Sequence, residues 1–108
     1  MLALKSGRNE KGELEYYLGG LERWDDFDIV VNQLKHLGGR VIESLDGIYF
    51  RIADLEEGEI KFKVIYHEDV GVYSYIIGKS SSQSNSRLEQ ILEQVVNEIN
   101  LRWNLPSH

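Results

Sequence analysis

The sequence predicts an α+β fold: an antiparallel sheet of about five strands with two helices packed on one face. Two observations predict it. Between residues 41 and 78, short runs rich in β-branched and aromatic residues are broken by Asp46-Gly47, the loop Asp54–Gly58 and Glu68-Asp69, the pattern of a meander. Two further segments, about 25–37 and about 87–103, repeat apolar residues at spacings of three and four, the period of a helix with one buried side. Composition does not change along the chain and nothing repeats, so residues 1–108 read as a single domain.

The elements follow in order. Leu2 to Ser6 can form a short strand before the polar turn Gly7–Gly12. Glu13 to Leu18 alternates, with Leu14, Tyr16 and Leu18 on one face and Glu13, Glu15 and Tyr17 on the other. Gly19-Gly20 stops it. In the first helix Trp24, Phe27, Val30, Val31, Leu34 and Leu37 share a side. Asp25 or Asp26 suits the N-cap, Asp28 complements the helix dipole, and Lys35 and His36 complement it at the other end, before Gly38-Gly39.

Arg40 to Leu45 resumes the sheet, and Asp46-Gly47 signals a two-residue hairpin turn. Ile48, Phe50 and Ile52 are then expected to face the core, with Tyr49 and Arg51 outward. Ile60, Phe62, Val64 and Tyr66 are expected inward, with Lys61 and Lys63 outward. The last run is apolar on both sides, with Val70, Val72 and Ile76 opposite Tyr73, Tyr75 and Ile77, as suits a central strand. Ser80–Asn85 reads as a polar linker. Ser86 and Glu89 fit a capping box ahead of the stripe Leu88, Ile91, Leu92, Val95, Val96, Ile99 and Trp103, and Pro106 lies beyond the helix. The outer sheet face would then carry Tyr17, Tyr49, Arg51, Lys61, Lys63, Tyr73 and Tyr75.

The chain has 108 residues, a net charge of −6 and no cysteine, which excludes disulfides, thiolate catalysis and cysteine zinc sites. The acidic balance disfavours nucleic acid and anionic lipid and favours a basic partner. Met1–Lys5 is too short an apolar run for a leader, and no run approaches the ~18 residues of a membrane span, so a cytoplasmic protein is expected.

Chemistry is sparse. No phosphate loop, dinucleotide fingerprint or nucleophile elbow occurs. His36 reads as a helix-end charge. His67-Glu68-Asp69 joins an imidazole to carboxylates, yet reads more simply as a polar turn. The Tyr/Lys/Arg sheet face has the composition of a single-strand nucleic-acid platform, against which the net charge argues. No catalytic residue, cofactor or metal is expected.

The acidic residues cluster instead. Asp25, Asp26 and Asp28 mark a helix start, Asp54, Glu56, Glu57 and Glu59 a hairpin, and Glu68 and Asp69 a turn. These nine, with Tyr49, Tyr73 and Tyr75 as aromatic anchors, are the candidate partner-contact residues of a non-enzymatic protein-binding domain. Its most specific form is an immunity or inhibitor protein that neutralises a basic toxin such as a nuclease. The alternative is a small ligand-binding or regulatory module using the Tyr-rich sheet face or the sheet–helix cleft.

Overall fold

The computed structural model describes residues 2–103, with side chains through Arg102. Pro106, and the Trp103 side chain of the apolar stripe, lie outside that description. Among the described residues the order is β1 (Ala3–Arg8), β2 (Leu14–Gly19), α1 (Asp26–His36), β3 (Arg40–Asp46), β4 (Phe50–Glu57), β5 (Ile60–His67), β6 (Gly71–Ile76) and α2 (Ser82–Trp103). The strands form one antiparallel sheet in the order β1-β2-β6-β5-β4-β3. The meander runs β3 to β6, as the sequence predicts. The β1–β2 hairpin joins the free side of β6, which makes β6 a central strand.

One tight turn sets which face each strand buries. The expected Asp54–Gly58 loop is shorter than its composition suggests: Asp54 to Glu57 stay paired in β4, and Gly58 and Glu59 alone link β4 to β5, with Glu57 paired to Ile60. Gly58 has φ 60°. That is the first loop position, where a type II′ hairpin turn takes glycine. Counting back, Leu55 meets Phe62, Ala53 meets Val64 and Arg51 meets Tyr66. These residues share the helix-covered face with Val72, Ser74 and Ile76 of β6 and with Tyr16 and Leu18 of β2.

The phase of β4 therefore corrects the sequence reading. Ile52 pairs with Ile65 on the uncovered face, and Arg51 points toward the helices. The Asp46-Gly47 turn is corrected as well. Asp46 stays in β3 opposite Arg51, the loop is Ile48-Tyr49, and the Gly47 N–H donates to the Phe50 carbonyl at 2.8 Å. Arg51 explains the shift. Its charged head finds two carboxylates on the helix side, and an Asp46-Gly47 turn would forfeit one of them. Val70, expected in the last strand on the face of Val72 and Ile76, sits instead in the β5–β6 turn and is exposed.

Both helices cover one face. Leu18, Leu34, Leu55, Phe62, Leu88 and Leu92 are fully buried, and the stripes of α1 and α2 close over them. α1 ends as its glycines predict: Gly39 N–H bonds back to the Leu34 carbonyl and Gly38 N–H to that of Lys35. α2 starts five residues earlier than expected, which corrects the Ser86 cap. Ser81 Oγ accepts the Ser84 N–H at 3.1 Å, and the Ser81 N–H donates to Ser84 Oγ at 2.8 Å. This is a reciprocal box built from two serines. It satisfies two backbone donors, which outweighs the modest helix cost of Ser82 to Asn85. The far end of α2 is tied to β1, where Asn100 bonds both the N–H and the carbonyl of Leu2 at 2.8 and 3.0 Å.

Candidate functional site

Strand directions sort the acidic residues. The Gly58-Glu59 tip and the β5–β6 turn lie at opposite ends of β5. The start of α1 belongs with the β5–β6 turn: Val72 N–H donates to the Leu21 carbonyl at 3.1 Å, and the Tyr66 hydroxyl to the Glu22 carbonyl at 3.2 Å. The Ile48-Tyr49 loop joins them, since Glu68 N–H donates to the Tyr49 carbonyl at 3.1 Å. Three connections thus share one end: β2–α1, β3–β4 and β5–β6.

Arg51 is the keystone of that end. Its Nη1 and Nη2 each donate to Asp28 at 2.9 Å, its Nε donates to Asp46 at 3.0 Å, and Nη1 also reaches the Trp24 carbonyl at 3.2 Å. The guanidinium lies 4.7 Å from the Phe27 ring centre and 5.1 Å from that of Trp24. Its side chain is 13% exposed. The hydrogen bond to Asp28 raises the guanidinium pKa, burial opposes this, and the bond to Asp46 adds to it, so the charge is permanent. Trp24 also meets Tyr66 edge-on at 5.9 Å.

What this end shows to solvent is apolar in the middle. Ile48 is 82% exposed, Tyr49 58% and Val70 53%. Apolar groups this open at adjoining loop tips are the kind of patch that marks an interaction surface. Glu22, Asp25, Glu68 and Asp69 lie on the same three connections and form no salt bridge among the described residues. The Asp69 N–H donates to His67 Nδ1 at 3.1 Å, which fixes that turn.

The remaining candidates are occupied or elsewhere. Asp26 is buried and accepts the Arg23 N–H at 3.0 Å, leaving Asp25 at the cap position with no side-chain cap bond. Asp28 is held by Arg51. Glu57 takes a bidentate grip from Arg87, with both bonds at 3.0 Å, and raises the Arg87 pKa by that hydrogen bond and its charge. Glu56 pairs with Arg40, and Asp54, on the uncovered sheet face, lies 3.4 Å from Lys63. Glu59 is exposed at the opposite tip. Tyr73 and Tyr75 lie on the uncovered face and stack with ring centres 6.5 Å apart. Tyr49, expected on that face, is at the loop end.

The structure therefore gathers Asp25, Glu68, Asp69 and Tyr49 from the expected set and adds Trp24, Ile48, Val70 and Arg51. The tight Gly58-Glu59 turn is the sequence signal for the additions. Pairing outward from it puts Arg51 on the helix side and leaves Ile48 and Tyr49 for the loop. Among the described residues no group of three or more His, Asp or Glu is placed to hold a metal ion, and no helix is long and apolar enough to cross a membrane. The sheet–helix interface considered for a small ligand is filled by core side chains along most of its length, and between the Gly58-Glu59 tip and the start of α2 it opens into a cleft of about 410 Å³ lined by Glu57, Glu59, Ser81, Ser84 and Arg87. Comparison of the chain with protein families, with curated proteins and with solved structures finds no match.

Proposed function

We propose that this chain is a non-enzymatic protein-binding domain and that it docks a basic partner through the three-loop end. One observation carries the reading: unpaired carboxylates at Asp25, Glu68 and Asp69 rim the exposed Ile48, Tyr49 and Val70, while most other acidic candidates are held by cations of this chain. An apolar centre with a charged rim is the anatomy of a protein interface, where burial supplies affinity and charge supplies rate and selectivity. The most specific form of the reading is an immunity protein against a basic toxin, with carboxylates standing where a nuclease expects phosphates. Arg51 then acts as a positioning residue, holding the β3–β4 loop against α1 so that the surface is ready before the partner arrives.

The test is in-cell cross-linking to the natural partner, followed by binding of the purified pair. Cross-links at residues 48–49 and 68–70 are expected, to a partner of high isoelectric point. Affinity should fall at least about tenfold between low and high salt. Glu68→Lys with Asp69→Lys should slow association, and Ile48→Asp should speed dissociation. Binding that ignores both salt and these substitutions refutes the reading.

A further inference from the structure

The helices leave one face of the sheet uncovered, and a single row of side chains crosses that face on all six strands. Cross-strand pairing sets the row as Lys5, Tyr17, Tyr73, Ile65, Ile52 and Leu45. It spans ~24 Å at the usual strand spacing. Tyr17 and Tyr73 stack at 5.7 Å between ring centres. Ile65 is only 8% exposed although no helix covers it, and Leu45 at the end of the row is 59% exposed.

Charge on this face behaves unlike charge on the rest of the molecule. The strand positions on it hold Lys5, Arg40, Lys61 and Lys63. They equally hold Glu15, Glu43, Asp54 and Glu56, so the face is neutral. The whole excess of −6 lies elsewhere. A basic partner gains no steering from such a face. Two copies of this acidic chain repel through most of their surface and meet without net repulsion only on neutral ground.

We propose that the uncovered face is the packing surface for a second copy of this chain, sheet on sheet. A two-fold axis along the row, perpendicular to the strands, lays Tyr17, Tyr73, Ile65 and Ile52 over their own copies, and sets Glu15 and Asp54 opposite Gly19 and Phe50 rather than opposite each other. Such a contact closes on itself and uses one patch twice. The free edges of β1 and β3 are the competing routes to self-association. The register shift between Val41 and Glu43 interrupts the β3 edge, a device that discourages strand addition. The proposal does not depend on the three-loop end, which stays open in such a dimer.

Sedimentation equilibrium of the full chain tests it, from about 1 to about 500 µM protein and from about 0.1 to about 1 M salt. The mass should rise to twice 12.5 kDa, with little response to salt. Leu45→Lys should weaken association at least about tenfold, and Ile48→Asp at the loop end should leave it unchanged. Because the chain has no cysteine, Tyr73→Cys should be joined to its copy by a bis-maleimide spanning about 10 Å, the usual separation of packed sheets, and Glu93→Cys, exposed on α2, should not. A chain that stays at 12.5 kDa throughout, including one whose face takes a small planar ligand instead, overturns the proposal. So does a dimer that tolerates Leu45→Lys or cross-links through Glu93→Cys.

Discussion

Arg51 grips both carboxylate oxygens of Asp28 at 2.9 Å, which ties a strand near the sheet edge to the first turn of a helix 23 residues earlier. The same guanidinium lies over Trp24 and Phe27, so charge and packing act through one side chain.

Those two parts can be separated by substitution. Arg51→Ala removes both and should destabilise the domain by about 1–3 kcal/mol in urea unfolding. Arg51→Met keeps an apolar stem over the rings and should recover part of that loss. Asp28 is 54% exposed. Its removal alone should therefore cost under about 1 kcal/mol, because solvent screens what it contributes. A double-mutant cycle on the pair should give a coupling of about 0.5–1 kcal/mol. Equal losses for Arg51→Ala and Arg51→Met would show that packing on the rings contributes nothing.

The start of α2 gives a sharper contrast between two serines. Ser81 makes the reciprocal bonds with Ser84, whereas Ser86 is exposed within the helix. Ser81→Ala should cost about 1 kcal/mol, and Ser86→Ala should stay within about 0.5 kcal/mol of the parent. Thermal unfolding of the two variants side by side decides it, and the reverse order would restore the later cap.

These two sites show where the sequence was legible. Periodicity reports burial, so the α1 and α2 stripes, the central position of β6 and the inward residues of β5 were all readable. Periodicity is silent on competing local signals of equal quality. Ser-x-x-Ser at residue 81 and Ser-x-x-Glu at residue 86 both describe caps, and Tyr16, whose hydroxyl reaches the Asn85 carbonyl at 3.1 Å, favours the earlier one only once β2 is in place. Asp46-Gly47 is a sound turn signal in isolation, and it yields because Asp46 and Asp28 together pull Arg51 inward. The candidate site was half legible for the same reason. The acidic clusters could be seen, but which of them were already bound to Arg40, Arg51, Lys63 or Arg87 depended on pairings between distant segments.

Tyr17 offers a test by pH. Its hydroxyl donates to Glu15 Oε1 at 2.6 Å. That hydrogen bond, then burial, then the charge of Glu15, push its pKa from 10.0 up to about 12. Burial and the Glu15 charge raise Tyr73 as well. The folded state therefore holds the phenolic proton more tightly than the unfolded chain does. The resulting stability is complete below about pH 10 and is lost as pH rises through about 12. Phenolate absorbance should show Tyr17 titrating late together with Tyr16 and Tyr73, and Tyr17→Phe should remove one late step. Glu15→Gln should move the step toward the ordinary range and flatten the loss of stability.

Gly71 holds together the turn that carries Glu68, Asp69 and Val70. Its φ is 89°, and a Cβ there would sit 2.6 Å from the Leu21 carbonyl oxygen. That oxygen is the acceptor for the Val72 N–H, so it cannot retreat without breaking the bond between the β5–β6 turn and the approach to α1. Gly71→Ala should therefore cost more than about 2 kcal/mol, through backbone strain and collision together. Gly12 is the control. Its φ is 80°, but nothing lies within 4 Å of the added Cβ, so Gly12→Ala should carry the strain alone, about 1 kcal/mol. Urea unfolding measures both, and hydrogen exchange at Val72 should quicken only in the Gly71 variant. If the two alanines cost the same, the close approach to Leu21 has no energetic weight, and the β2–α1 connection does not anchor the turn beside it.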